Sequence, residues 1–150
     1  MKRIANRLFN REYQAVSTYE AGISLTGAEV KSVRAGNIRL EDSYVKIMGG
    51  VPQLINAEIS IYKYAVPRDY EPRRTRALLL HRREILKIES KKKQGGRLTI
   101  VPVACYNKGR RIKLELALAK GKHEIAKKKH ERARDMVREI EKEIKDSARK

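Results

Sequence analysis

The stretch Ile112-Lys113-Leu114-Glu115-Leu116-Ala117-Leu118 alternates large apolar side chains with charged or small ones. This period of two is the pattern of a β-strand with one buried face. A similar pattern fits Leu98 to Val103, and Asn107-Lys108-Gly109 between the two supplies a hairpin turn. Ser43 to Met48, followed by Gly49-Gly50, adds another strand and turn. Several short strands with regular turns predict a small barrel or sandwich.

A first helix is predicted where the strand pattern stops. Thr26 and Glu29 have the spacing of a capping box, in which each residue satisfies a free backbone N–H of the other. Gly36 lies just past the end of the segment, where glycine commonly ends a helix. The sequence therefore predicts a helix over Gly27 to Ala35.

A second helix is predicted to begin near His81, because Glu84 stands three residues later and an apolar pattern follows. Gly95-Gly96 is the predicted stop. Leu78 to Leu80, just before this helix, is interpreted as the buried end of a strand. On structural grounds alone, His81 is better explained as a helix cap than as a ligand-binding residue.

The carboxy-terminal part differs from the rest, because there is no Gly or Pro after Gly121. Its apolar residues recur at roughly helical spacing among alternating charges. These residues are Ile125, Ala133, Met136, Val137, Ile140 and Ile144. So narrow a stripe either docks on the barrel or a partner, or orders only on binding. The predicted division is a barrel domain at residues 1–121 and a basic tail at 122–150, disordered or helical on binding.

Charge is the strongest indication of function. The 150 residues include 36 Lys and Arg against 18 Asp and Glu, for a formal net charge of +18. Such a field attracts polyanions and makes their binding salt-dependent, so nucleic acid is the leading partner class and an anionic membrane surface the competing one. No apolar run approaches the roughly 20 residues of a bilayer span, and the amino terminus lacks a signal-peptide core. A cytoplasmic protein is expected.

The sequence does not show the motifs of a catalytic site or a metal site. The sequence has no phosphate-binding glycine loop and no nucleophile elbow. Cys105 is the only cysteine, which excludes an internal disulfide, and His81, His123 and His130 are too scattered for a metal-ligand pattern. We therefore expect a protein that is not an enzyme and needs no cofactor or metal. Cys105 is expected to be a small buried residue.

Cations cluster on the first predicted helix and just after it. Lys31, Arg34 and Arg39 lie within nine positions, near glycines that allow a bulky ligand to approach the backbone. For an arbitrary helix this would indicate only a solvated face, but the charge of the whole chain favours phosphate contact. Glu20 is an acid in basic surroundings, and its carboxylate either accepts hydrogen bonds from base edges or orients a nearby arginine.

A second basic cluster consists of Arg73, Arg74 and Arg76, for which loop solvation and RNA contact remain equally open. Aromatic residues are mainly tyrosines, since the chain has seven Tyr, one Phe and no Trp. Some tyrosines must lie in the core, and others are available to stack on unpaired bases, as in other RNA-binding barrels. The sequence does not distinguish the two groups.

Several spaced motifs together resemble the small protein B family, the bacterial SsrA-binding proteins. The motifs are Glu20-Ala21-Gly22, Gly27-Ala28-Glu29-Val30-Lys31-Ser32-Val33-Arg34-Ala35-Gly36, Asp42-Ser43-Tyr44, Arg76-Ala77-Leu78-Leu79-Leu80-His81 and Leu118-Ala119-Lys120-Gly121-Lys122. The resemblance covers about residues 4 to 122 and continues more weakly through the tail. It implies a mainly β fold: a closed antiparallel oligonucleotide-binding-like barrel with two or three flanking helices and a basic carboxy-terminal tail.

The resemblance also implies a function. Proteins of that family bind the tRNA-like domain of transfer-messenger RNA (tmRNA) and deliver it to stalled ribosomes for trans-translation, together with the elongation factor that carries aminoacyl-tRNA. The tail is expected to enter the empty mRNA channel at the small-subunit decoding centre, and the protein is expected to be a monomer. The alternatives are a general single-stranded RNA-binding or ribosomal OB-fold protein and, less favoured, a basic membrane-surface protein.

The resemblance and the cation clusters together predict two sets of contacts. The residues predicted to bind RNA are Asn6, Arg7, Glu20, Lys31, Ser32, Arg34, Arg76, Leu79, His81 and Lys122. The residues predicted to bind the ribosomal mRNA channel are Lys127, Lys128, Arg132, Arg134 and Arg138. Where relatives commonly have Tyr or His followed by Asp-Lys-Arg, this chain has Ile125-Ala126-Lys127-Lys128. The cations carry over to this chain, but the stacking aromatic does not.

Overall fold

The computed structural model describes residues 1–65 and 69–148, and of residues 124–128 it describes the backbone alone. Within these residues the fold is mainly β with four helices. The strands are β1 (Ile4–Ala5), β2 (Tyr13–Ile23), β3 (Ile38–Arg39), β4 (Tyr44–Met48), β5 (Val51–Ile55), β6 (Glu58–Ile59), β7 (Arg76–Leu79), β8 (Thr99–Lys108) and β9 (Arg111–Gly121). The helices are α1 (Phe9–Glu12), α2 (Gly27–Arg34), α3 (Arg82–Gln94) and α4 (Lys122–Ala148).

Seven of the described strands form one large antiparallel sheet, in the order β1-β8-β4-β5-β7-β2-β9. In addition, β8 pairs with β9 along almost its whole length. Strands β3 and β6 form a separate two-stranded sheet. The sheet thus brings β2, β7 and β9, which come from three distant parts of the sequence, into one neighbourhood.

The β8–β9 hairpin differs in detail from the sequence prediction. Lys108 pairs with Arg111, so the connection is Gly109-Arg110 and the strand continues beyond Val103 to Lys108. Gly109 has φ +63°, a backbone conformation that glycine adopts without steric cost. The turn therefore lies one to two residues later than predicted, because cross-strand hydrogen bonds extend the ladder past the apolar pattern.

The strand β9 confirms the predicted alternation and adds a second buried patch. Ile112, Leu114, Leu116 and Leu118 are buried in the main core. Ala117 and Ala119 point to the opposite face of the strand, where they pack with Phe9 of α1 and Val101 of β8. Small side chains at these two positions let the short helix lie close to the sheet, so β9 is covered on both faces near its end.

The capping box of α2 is present as predicted. The Glu29 backbone N–H donates to Thr26 Oγ1 at 3.2 Å, and the Thr26 N–H donates to Glu29 Oε1 at 3.0 Å. The helix ends at Arg34, one residue earlier than predicted, and Gly36 has φ +90°. Local sequence alone is sufficient for this element, since both cap partners lie within one turn.

The segment before α3 is only partly buried. Leu78 is in the core, whereas Leu79 is 68% exposed and Leu80 is half-buried. The prediction of a uniformly buried strand end is therefore wrong, because successive side chains of a strand point to opposite faces. His81 occupies the N-cap position of α3, and the Gly95 N–H donates to the Lys91 carbonyl oxygen at 2.9 Å where the helix ends.

The tail is one 27-residue helix, α4, which lies against β9 and α1 at its beginning. Four side chains of its apolar stripe are uncovered. Met136, Val137, Ile140 and Ile144 are each more than half exposed. The helices of the described residues are all too short or too polar to span a membrane.

Candidate nucleic-acid interface

A groove of about 410 Å³ lies where β2, β7, α2 and the β8–β9 turn meet, and we call it the cationic groove. Its apolar lining consists of Gly22, Ile23, Leu25, Val30, Leu79 and Ile112, and its charged lining of Arg34, Arg110, Arg111 and Lys113. None of these lining residues is acidic. A positive rim around an apolar floor suits a ligand that has both phosphates and bases.

Leu79 projects into the cationic groove because Gly22 leaves room for it. The two residues are partners in the β2–β7 ladder. A Cβ placed on Gly22 would lie 3.3 Å from the Leu79 Cβ, which is a tight contact. The glycine therefore allows a leucine to cross over β2 while remaining largely exposed. Leu79 was predicted to bind RNA, and its exposure is what such a contact requires.

Arg34 and Lys113 provide the charges beside Leu79. The Arg34 guanidinium donates from Nη2 to the Arg110 carbonyl oxygen at 3.0 Å, which directs it toward the β8–β9 turn. Lys113 is the partner of Gly22 in the β2–β9 ladder. These two cations come from different elements, so a ligand over Leu79 meets positive charge from two directions.

Glu20 lies two residues before Gly22 and therefore on the same face of β2, since Ala21 between them is fully buried. The Tyr106 hydroxyl donates to Glu20 Oε2, and Lys108 Nζ lies 3.0 Å from Oε1. The Tyr106 hydrogen bond and then Lys108 lower the pKa of Glu20. Burial, followed by the bond to Glu20, raises the pKa of Tyr106 to about 12. In this structure the carboxylate orients a tyrosine and a lysine rather than an arginine.

Of the two other predicted residues on α2, only Lys31 is on the surface. Ser32 is buried, and its Oγ donates to the Ser60 carbonyl oxygen at 2.5 Å. A direct RNA contact at Ser32 does not fit this geometry, because its only polar side-chain atom is already engaged in the interior. Ser32 instead fastens α2 to the segment that follows β6.

Arg76 is also buried, contrary to the prediction of an RNA contact. Its Nε donates to Glu29 Oε2 at 2.8 Å, Nη1 to the Ala57 carbonyl oxygen at 2.9 Å, and Nη2 to the Pro72 carbonyl oxygen at 3.0 Å. A guanidinium that is fully buried and bonded in three directions has no face left for a phosphate. Arg74, from the same basic cluster, is partly exposed and forms a second ion pair with Glu29.

Glu29 is the centre of this buried network. Burial alone raises the pKa of a carboxyl group, but the Thr26 N–H and the guanidinium groups of Arg74 and Arg76 outweigh it and bring the pKa of Glu29 to about 2. Because Glu29 belongs to α2 and the arginines to the segment before and within β7, the ion pairs hold the basic helix against the sheet.

The predicted RNA contacts at Asn6, Arg7 and Lys122 also include both buried and exposed side chains. Asn6 is buried, and its Nδ2 donates to the Pro102 carbonyl oxygen at 2.9 Å, so the predicted RNA contact does not fit its side chain. Arg7 is exposed. Lys122 is exposed as well, and its Nζ donates to the Asn10 carbonyl oxygen. Arg7 and Lys122 thus remain candidates for RNA contact.

His81 was interpreted both as a helix cap and as an RNA-binding residue, and its position in the structure is compatible with both roles. Its backbone N–H donates to Glu84 Oε1 at 3.3 Å, as expected at a helix N-terminus. Its side chain is exposed, two residues beyond Leu79 in an extended backbone. Because the imidazole is exposed, the cap role of the backbone is compatible with a contact between His81 and a ligand near Leu79.

In the tail, the exposed side chains of Arg132, Arg134 and Arg138 lie on α4. Arg134 and Arg138 are four positions apart and share one face of the helix. The side chains of Lys127 and Lys128, together with Ile125, lie outside the described residues.

The sequence prediction missed three cations of the groove, namely Arg110, Arg111 and Lys113. Lys113 lies in the polar phase of the alternating strand, where a charged residue is ordinarily explained by solvent. Only the pairing of β9 with β2 places it beside Gly22. As for other chemistry, no group of three or more His, Cys, Asp or Glu suited to a metal occurs in the described part of the chain.

Residues 3–146 match the family model described as "SmpB protein". The "SsrA-binding protein" of Persephonella marina is 45% identical over 140 residues, covering 93% of this chain and 91% of that protein. The "SsrA-binding protein" of Deinococcus radiodurans is 46% identical over 141 residues, covering 93% and 98%. A solved structure described as "tmRNA-SmpB: a journey to the center of the bacterial ribosome" is similar with a TM-score of 0.66 and 38% identity, over 81% of this chain and 85% of that one.

Proposed function

The chain belongs to the SmpB protein family, and on this premise we propose that it binds the tRNA-like domain of tmRNA and delivers this RNA to stalled ribosomes for trans-translation. The observation that supports the proposal best is the cationic groove, in which an exposed leucine lies among four cations. A chain with a net charge of +18 has the electrostatic field that such binding requires.

The groove supports recognition of RNA shape and backbone more than of sequence. Arg34 and Lys113 line the groove together with Leu79 and are available to phosphates, while Leu79 offers an apolar contact to an exposed base or ribose. His81 extends this surface along the chain. Side-chain amides that read base edges are absent from the lining residues of the groove. Glu20 contributes indirectly, by fixing Tyr106 and Lys108 at the neighbouring edge.

We also propose that the large sheet is a closed, oligonucleotide-binding-like barrel. The pairing of β8 with both β4 and β9 supports this, because each strand of the series β8-β4-β5-β7-β2-β9 then has two hydrogen-bonded neighbours. In this interpretation residues 1–121 are the RNA-binding domain and residues 122–150 the basic tail.

The tail is proposed to occupy the vacant mRNA channel of the ribosome, with Arg132, Arg134 and Arg138 on RNA phosphates. The predicted contacts of Lys127 and Lys128 belong to the same proposal. The protein acts as a cytoplasmic monomer without catalytic activity, and its other partner is the elongation factor that carries aminoacyl-tRNA. A general single-stranded RNA-binding protein is the alternative function.

The RNA that copurifies with the intact protein from its native host, sequenced after a moderate-salt wash, tests the proposal. One dominant tmRNA species is expected, whereas a mixture that follows RNA abundance would favour the alternative. A variant with Arg34→Ala and Lys113→Ala should lose this RNA. The matched control is Lys46→Ala, which removes an exposed cation on β4, outside the groove.

A shortened chain that ends at Lys122 tests the role of the tail. Its affinity for the tRNA-like domain should stay within about tenfold of the intact protein, or roughly 1.4 kcal/mol. Rescue of stalled ribosomes in a reconstituted translation reaction should be lost. A larger loss of affinity would mean that the tail is part of the RNA site and that the proposed boundary is misplaced.

A further inference from the structure

Two tyrosines that follow β6, half-buried Tyr62 and exposed Tyr64, form an aromatic pair outside the cationic groove. The ring centroids of Tyr62 and Tyr64 are 5.6 Å apart, and the rings meet edge to face at 70°. Tyr64 is 73% exposed. Each ring has an ammonium group near its face: Lys31 Nζ lies 5.6 Å from the Tyr62 centroid, and Lys63 Nζ lies 5.5 Å from the Tyr64 centroid.

The segment that carries this pair is held in place by hydrogen bonds. The Ser60 carbonyl oxygen accepts a hydrogen bond from buried Ser32, and the Ser60 N–H donates to the Asn37 carbonyl oxygen at 3.1 Å. On the other side of the pair, the Ala65 N–H donates to the Tyr62 carbonyl oxygen at 3.0 Å. The bonds of Ser60 thus attach the start of the segment to α2 and the residues that follow it, and the bond of Ala65 closes a turn around the pair.

An exposed ring beside lysines has the chemistry of a stacking site for nucleic-acid bases. Every base has an aromatic face, so a tyrosine ring binds an unpaired base without regard to sequence. Exposed cation–aromatic contacts are weak. Lys63 can thus exchange the Tyr64 ring for a phosphate of the same RNA, which uncovers that ring for a base, and Lys31 can likewise exchange the Tyr62 ring for a phosphate.

We propose that Tyr64, supported by Tyr62, stacks on an unpaired base of the bound RNA while Lys31 and Lys63 contact its flanking phosphates. The inference rests on the proposed function and adds a second surface to it. Lys31 and Arg34 are three positions apart on α2, where side chains are neighbours on the helix surface. One RNA strand that passes over α2 therefore contacts both the cationic groove and the aromatic pair.

The absence of tryptophan from the chain makes the test specific. The variant Tyr64→Trp carries a single tryptophan, whose emission should be quenched when the full-length protein binds the tRNA-like domain of tmRNA. The control is Tyr44→Trp, which changes a 42% exposed tyrosine on β4, and its emission should not change. Tyr64→Ala should lower the affinity about five- to tenfold, whereas Tyr64→Phe should stay within about twofold.

Circular dichroism of each variant confirms folding before binding is measured. If the unsubstituted protein prefers the tRNA-like domain to an unrelated duplex but Tyr64→Trp shows no quenching, or Tyr64→Ala binds as tightly as the unsubstituted protein, the stacking inference is wrong and the proposed function stands. If the unsubstituted protein shows no such preference, the proposed function itself fails. Quenching that requires the elongation factor would indicate a protein contact at Tyr64 and would also overturn the inference.

Discussion

Replacing Glu29 by glutamine removes the charge at the centre of the buried network while keeping the size of the side chain. In the native protein the pKa of Glu29 is about 2, against an ordinary value of 4.5. A difference of this size corresponds to about 3 kcal/mol of stability at neutral pH. The substitution also leaves the buried Arg76 without its counter-ion, and breaking a buried pair in this way costs about 3–5 kcal/mol.

The sign of the pH dependence follows from the lowered pKa. Above pH 4.5 Glu29 is ionised in both the folded and unfolded chains, and its contribution to stability is fully present. As the pH falls toward 2, Glu29 becomes protonated in the unfolded chain while it is still ionised in the native protein. Its contribution to stability is therefore progressively lost. The Glu29→Gln variant lacks this group, so its stability should depend less on pH across that window.

Urea unfolding followed by circular dichroism at pH 7, and again at intervals down to pH 2, measures both effects. The control is Glu115→Gln, since the partner of Glu115 is Arg3, an exposed side chain, and surface pairs contribute about 1 kcal/mol or less. A loss below about 1 kcal/mol for Glu29→Gln at pH 7 would refute the reasoning. So would a pH dependence between 5 and 2 identical to that of the unsubstituted protein.

Three shorter predictions concern the groove and the core. Arg34→Ala and Lys113→Ala should each reduce the slope of log affinity for RNA against log salt by about one, and an unchanged slope would remove that residue from the phosphate contacts. Gly22→Ala should weaken RNA binding by crowding Leu79, and should add no further loss in a Leu79→Gly background, which lacks the Cβ that would be crowded, as a double-mutant cycle would show. Burial raises the pKa of Cys105 to about 12, so a thiol reagent at pH 8 should label it only as fast as the chain unfolds.

Elements with local signals could be predicted from the sequence, and elements that depend on distant partners could not. The helix α2 could be predicted because its capping residues, Thr26 and Glu29, lie three positions apart. The strand β2, eleven residues long, has no clean alternation, since its pairing with β9 shifts register between Ala15 and Ser17. A bulge of this kind interrupts the period of two on which strand prediction depends.

The candidate site shows the same limit. Residues of α2 were identified because cations on a helix of a basic protein are a local pattern. The Arg110 and Arg111 pair at the hairpin turn was missed, because a basic turn ordinarily indicates solvent. Arg76 was assigned to the surface because its sequence neighbours Arg73 and Arg74 are cations. Its actual partner, Glu29, is 47 residues away in the chain, and no local pattern predicts that pairing.

The family resemblance predicts which positions serve RNA binding. The structure shows that some of these side chains are exposed and can contact RNA, whereas others are buried and hold neighbouring elements in place. Arg76 belongs to the second kind, since it is buried against Glu29 of the helix that carries Lys31 and Arg34. Arg76→Met should therefore weaken RNA binding by lowering the fraction of molecules in which α2 is correctly placed. The salt slope should stay close to that of the unsubstituted protein, because the molecules that bind keep every phosphate contact. Arg34→Ala, which removes a phosphate contact, should lower the slope by about one. If Arg76→Met lowered the slope equally, its guanidinium would have to reach a phosphate, and the buried network would have to open when RNA binds.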